Sequence, residues 1–351
     1  MSDHGLPFFE ASTLDGAADT LHNRLSLHPV DAFFPTKVFE GDHIELDVKK
    51  WETYAADPVD YGVPTPNADP HGFRTVRATP VQLRNGRPMS NKEISFFRKY
   101  GKLRQSNGVT QTHEARRQEL ITEIARETMM PPEERKHVMQ CEALRGNVSL
   151  RLGGQTVATS YGLTALPAPS IPWATVATST PVQDVYKMKE DFLATAEVDA
   201  DTVFFNRVVF SLFLSKSAEW REVIKRNPDA AKAFSGFFAS DGDIRALASP
   251  NRPFEMFDML WVPVGGSYKN RQGATALRWP TNIMTVAALN AGDGQQVLQW
   301  ATTMDEYCPD GMPKMRVLKK DDPISYQTEY TVTGVPVIRI KERVQTWTIT
   351  P

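Results

Sequence analysis

The sequence predicts an α+β protein organised around one long helix. Three observations lead there. Gln111 to Gly146 keeps apolar residues at helical spacing over about 35 positions, roughly 50 Å of helix. Clean period-two alternation marks strands near both ends of the chain. Between Asp201 and Leu289, apolar strand runs alternate with amphipathic helical stretches.

The bulk properties set the frame. The 351 residues carry a net charge of −2 and 41% apolar side chains, so a substantial core is expected and a general polycation is excluded. Two cysteines, Cys141 and Cys308, make no disulfide framework and fit a reducing compartment. The start, MSDHGLPFFEAS, lacks a basic region followed by an apolar run, so no signal peptide is expected. No apolar stretch is long enough for a membrane span, and a soluble, intracellular protein is expected.

Residues 1–35 read as an irregular arm. It has a short helix at Leu21 to Leu27 and a docking pair, Phe33–Phe34. Lys37 to Val48 alternates, with Ile44, Leu46 and Val48 on one side, as a half-buried strand. Four prolines (Pro58, Pro64, Pro66, Pro70) and two glycines (Gly62, Gly72) then mark an extended tip before Phe73 to Leu83 returns as a second strand. Asn85-Gly86 signals a tight turn. An isolated two-stranded ribbon is marginal in water, so this one needs another surface. Between His71 and Arg117, eleven Lys/Arg face two acids, a local charge of +9. Such a run is either a solvated linker or a contact for an acidic partner; it lacks the aromatic interleaving of a single-strand nucleic-acid binder.

In the long helix, Leu120, Ile121, Ile124, Ala125 and Thr128 form one stripe, and Val138, Cys141 and Leu144 a second. Glu119, Glu123 and Glu127 form an acidic column that must face water or a positive surface. Pro131-Pro132 predicts a kink or restart, since proline lacks the amide donor and its ring crowds the preceding turn. Gly146 suits the helix stop. Val148 to Pro181 is short-strand material. Thr180-Pro181-Val182-Gln183 matches a capping box opening a helix that ends near Glu197. Asp201 to Phe205 reads as a buried strand with Asn206 capping a helix. Ser217 to Arg226 is a short helix, Phe254 to Val264 and Ile283 to Leu289 are strands, and Ser267 to Pro280 is a polar loop. Val332 to Ile349 supplies closing strands.

Motifs for nucleophile elbows, phosphate loops, zinc proteases, dinucleotide folds and paired Cys-x-x-Cys are absent from the sequence. His137 and Cys141 stand one helical turn apart and could share a metal, but no second pair supports them, and a buried thiol is the ordinary reading. Asp199/Asp201 and Asp241/Asp243 suit element ends better than paired catalytic carboxylates, and Gly265-Gly266 and Gly292/Gly294 suit turns. No catalytic residue, cofactor or metal is therefore expected.

The order of these parts, with the FFPTKVFEGDHI lead-in, the Arg-rich run before the long helix and the DP…TGVPV closing segment, resembles the major capsid proteins of tailed phages, the lambda-like E family. The likeness spans nearly the whole chain and implies the Hong Kong 97 phage capsid fold. It implies an N-terminal arm (1–35), an E-loop with basic linker (36–110), a spine helix and first part of a peripheral domain (111–200), an axial domain (201–319) and closing peripheral strands (320–351). It implies a structural protein that self-assembles, as hexamers and pentamers, into an icosahedral shell around double-stranded DNA. The DNA would be contacted non-specifically. A scaffolding protein, a portal at one vertex and a decoration protein are the partners such a shell uses; no membrane is involved. Its place would be the virion capsid, after synthesis in the host cytoplasm. Inter-subunit contact is expected from Arg74, Arg77, Arg84, Arg87, Arg116, Arg117, Glu119, Glu123 and Glu127. Three other readings stand beside it: an encapsulin-like cargo shell, an enzyme of an unfamiliar α/β type and unknown reaction, such as a hydrolysis using Asp and His side chains, and a nucleic-acid binder using the basic run.

Overall fold

In the computed structural model, residues 29–40, 44–49, 73–90, 113–152, 155–175, 178–206, 209, 253–269, 273–290, 296–306, 308–321 and 324–349 are described. The expected helices at Leu21 to Leu27 and Ser217 to Arg226, Asp241/Asp243 and Gly292/Gly294 lie outside them.

Helix α1 runs unbroken over His113–Leu144, 32 residues, with Pro131 and Pro132 inside it. The expected restart at the prolines does not occur. Its buried side combines Ile124, Ala125, Thr128 and Met129 with Val138, Cys141 and Leu144, so the described part of the first predicted stripe and all of the second face the core; the side chains of Leu120 and Ile121 lie outside the described residues. At the C-terminus Gly146 takes a φ of +92°, and its amide donates to the Ala143 carbonyl at 2.8 Å. Thr285 Oγ1 donates to the Leu144 carbonyl at 2.8 Å, closing another helix-end acceptor from a distant strand.

Under α1 lies a five-stranded sheet. Its central strand is β16 (Ile324–Ile338). β15 (Lys314–Asp321) pairs antiparallel with its first half, and β4 (Val81–Ser90) pairs antiparallel over Ser325 to Gly334. β14 (Leu298–Thr303) pairs with its end, and β1 (Thr36–Phe39) lies parallel to β14. Two expectations change here. Lys37 to Val48 is two elements, because Thr36–Phe39 joins this sheet while β2 (Ile44–Lys49) leaves it. Asn85-Gly86 is no turn: the pair sits inside β4, opposite Tyr330 and Glu329. Ten consecutive ladder partners outweigh a local turn preference.

The ribbon is therefore β2 with β3 (Phe73–Ala78), a separate antiparallel pair. Ile44, fully buried against Ala301, Val335 and Val337, roots it in the body.

β5 (Asn147–Leu152) and β6 (Gln155–Ser160) make a hairpin after α1. A six-stranded sheet follows the order β7-β17-β13-β8-β10-β9, with β7 at Thr164–Leu166, β8 at Thr202–Asn206, β9 at Phe254–Met256, β10 at Met259–Val264, β13 at Ile283–Ala287 and β17 at Val344–Thr348. β8 is buried throughout because the sheet is covered on both sides. Val203 and Phe205 face the cluster under α2 (Pro181–Ala196), while Phe204 joins the cluster under α1. Helix α2 buries Val182, Val185, Phe192 and Ala196, as its spacing predicts. Thr180 makes no side-chain cap, so the predicted capping box is not formed; Pro181 does sit in the first turn. Asn206 ends β8 and donates from Nδ2 to the Trp279 carbonyl; the helix it is expected to cap lies, apart from Val209, outside the described residues. The polar loop after Gly266 contains a small hairpin, β11 (Ser267–Lys269) with β12 (Thr275–Leu277).

The described end of the arm, residues 29–35, packs on its own chain. Val30 and Phe34 are buried in the α1 cluster, and Phe33 meets Phe204 edge to face at 5.2 Å between centroids.

Candidate assembly surface

β4 carries the centre of the basic run past α1. Alternation sends Asn85 and Arg87 toward the helix and leaves Gln82, Arg84, Gly86 and Pro88 on the exposed side. Arg84 pairs with Glu329 across the sheet at 3.1 Å, and Arg87 pairs with Glu127 on α1. Part of the acidic column and part of the basic run thus meet inside one chain. Glu123 is half-buried, and its Oε2 has no hydrogen-bond partner among the described residues. Arg74 and Arg77 lie in β3, in register with Val48 and Glu45 of β2. Arg116, Arg117 and Glu119 lie in the first turns of α1; their side chains are outside the described residues.

Further along, α1 is bolted to both sheets. Tyr330 donates to Glu133 at 2.6 Å. Arg278 grips Glu134 with two hydrogen bonds of 2.7 Å, a fork geometry suited to a carboxylate. Lys136 lies over the Trp300 ring at 5.4 Å from its centroid. His137, buried, stands 3.8 Å from the Cys141 sulfur through Nε2 and 3.7 Å from Asp31 through Nδ1, an ion-pair rather than a hydrogen-bond distance. Burial works against its cation, but the Cys141 sulfur and the Asp31 carboxylate outweigh it and push the imidazole up to about 9. These groups serve the packing of arm on helix. Among the described residues no three His, Cys, Asp or Glu side chains gather as a metal site, and no helix is long and apolar enough to cross a membrane. Asp201 accepts the backbone amides of Leu289 and Asn290, the element-end role its position predicts.

Sequence reading missed the loop 304–312. Asp305 Oδ2 accepts from Gln82 and Thr333, each at 2.8 Å, and its Oδ1 accepts the Cys308 amide. The loop is fixed across the sheet yet presents Met304 and Met312, each about half exposed. No local pattern signals it, because its partners come from strands far away in sequence.

A helix bolted to two sheets and a ribbon rooted through Ile44 describe a braced subunit. Comparison with protein families makes the class specific: the chain belongs to the phage major capsid protein E family, whose family model matches residues 10–313. It is a shell-forming, homo-oligomeric capsid protein of the virion, and its α+β architecture is the Hong Kong 97 phage capsid fold. Among solved structures, a protein assigned as a prophage capsid protein of E. coli CFT073 aligns over 97% of this chain and 99% of its own, at 13% identity and a TM-score of 0.60. A phage-related protein from Bordetella bronchiseptica RB50 aligns over 96% of each chain at 10% identity and a TM-score of 0.52. At these identities the likeness is one of fold. Comparison with curated protein sequences gives no match.

Proposed function

We propose that the chain is the major head subunit of a tailed phage, assembling as hexamers and pentamers into an icosahedral shell around double-stranded DNA. One observation carries the assembly reading: β2 and β3 pair only with each other among the described residues, and a two-stranded ribbon gains independent stability by lying on another surface. In a homo-oligomeric shell that surface is a neighbouring copy, so residues 36–110 act as the E-loop with its linker. Residues 111–200 and 320–351 form the peripheral part, 201–319 the axial part and 1–35 the arm. Arg84, Arg87 and Glu127 are engaged within the chain. The neighbour-facing role therefore falls to Arg74, Arg77, Arg116, Arg117, Glu119 and Glu123. A scaffolding protein, a portal and a decoration protein complete the head, the DNA is held non-specifically, and synthesis takes place in the host cytoplasm. The subunit has no reaction of its own.

The test is deletion of residues 50–72. The subunit is expected to keep its circular-dichroism spectrum and thermal midpoint while particles disappear from the sedimentation profile. Normal particles from the deletion would overturn the E-loop assignment.

A further inference from the structure

A proline at position i removes the amide that would bond the carbonyl of residue i−4. Pro131 therefore leaves the Glu127 carbonyl without its helical donor, and Pro132 does the same to Thr128. Two successive bonds are missing from the middle of α1, and both open acceptors lie on the helix beside β4. The Asn85 side chain donates to both: its Nδ2 lies 3.1 Å from the Glu127 carbonyl and 3.1 Å from the Thr128 carbonyl. An amide NH₂ has two hydrogens, so one side chain can replace both lost donors. The Thr128 acceptor lies in a buried residue, where an unmet carbonyl is costly. Arg87, two residues on along the same side of β4, pairs with the Glu127 side chain, while the ladder with β16 holds the strand in register beside this turn.

We propose that Asn85 is the latch of a two-proline hinge in α1. Bending α1 at 127–132 breaks no intrahelical bond at the two positions where none exists; it breaks the two bonds from Asn85. The continuity of the helix therefore depends on where β4 sits. β4 follows the β3 arm of the ribbon after only Thr79 and Pro80, so displacement of the ribbon reaches the middle of the helix through one side chain. Asn85 is a positioning residue, and the hinge makes the helix responsive to whatever the ribbon docks on.

The experiment is a mutant cycle on the full chain, read by amide hydrogen exchange. Asn85→Leu keeps the size and removes both donors. In the wild-type background it is expected to speed exchange at Glu133 to Lys136 by roughly tenfold or more, with the β15–β16 ladder little changed. In a Pro131→Ala/Pro132→Ala background the helix has its own donors, and Asn85→Leu is expected to change the same amides less than about twofold. Arg87→Ala serves as the control that breaks the adjacent ion pair, and its effect is expected to be the same in both backgrounds. If Asn85→Leu fails to fold alone, restored folding in the double-alanine background supports the latch and continued failure overturns it. Equal acceleration in both backgrounds, or acceleration spread evenly over the sheet, overturns it as well.

Discussion

Gly334 lies inside β16 with a φ of +147°, where the chain crosses the Trp300 indole. A Cβ added there would stand 2.4 Å from Trp300 Nε1, 2.6 Å from Cε2 and 2.8 Å from the Ala301 carbonyl. None of these can yield cheaply. Trp300 is buried beneath Lys136, its own amide donates to the Pro35 carbonyl at 3.0 Å, and Ala301 is backbone in the ladder with Val335. Gly334→Ala therefore combines an overpacking cost of about 1–3 kcal/mol with a backbone cost of about 1–2 kcal/mol, about 2–5 kcal/mol together. At roughly 2–4 °C per kcal/mol for domains of 150–250 residues, the thermal midpoint of the unassembled subunit is expected to fall by about 4–20 °C. Gly162 supplies the control. Its φ is +61°, but nothing lies within 4 Å of an added Cβ, so Gly162→Ala carries only the backbone cost, about 1–2 kcal/mol. Differential scanning fluorimetry on both variants decides the matter. Equal shifts would refute the close approach of Trp300 as the reason for glycine in this strand.

Two further outcomes follow from α1. His137 has a folded-state pKa raised to about 9, so its contribution to stability is complete below the unfolded value near 6.5 and is lost as pH rises through 9. The unfolding midpoint is expected to drop between pH 7 and 9.5, and His137→Gln is expected to remove that part of the slope; a slope of opposite sign would contradict the Asp31–His137 contact. Arg278→Ala leaves Glu134, itself only 24% exposed, without its two hydrogen bonds. A loss of about 2 kcal/mol is expected in urea unfolding. Adding Glu134→Ala should recover part of it, whereas additive losses would mean the two side chains are not coupled.

Local pattern revealed the secondary elements wherever burial itself was periodic. The two apolar stripes gave α1 almost to its ends, and alternation in Val332 to Ile349 gave the closing strands. It failed where a distant partner decided the outcome. Pro131-Pro132 reads as a break because two donors are lost, and the donor that replaces them is Asn85, more than forty residues earlier. Asn85-Gly86 reads as a turn because the dipeptide favours positive φ, but the ladder with β16 holds both residues extended. Thr180 has the chemistry of a cap without the geometry. The charges proposed for the assembly surface were legible as composition: the +9 run and the acidic column were evident. Their internal pairing was not, since Arg84 finds Glu329 and Arg87 finds Glu127 only after the sheet and helix pack. The 304–312 loop was invisible for the same reason.

Whether this chain builds shells is tested most directly by analytical ultracentrifugation with negative-stain microscopy on the purified protein. The expected result is rapidly sedimenting closed shells, with rings of five or six subunits at lower concentration. A single slow boundary at the mass of one chain, unchanged over a hundredfold rise in concentration and on coexpression with the head-assembly genes of its phage, would contradict it.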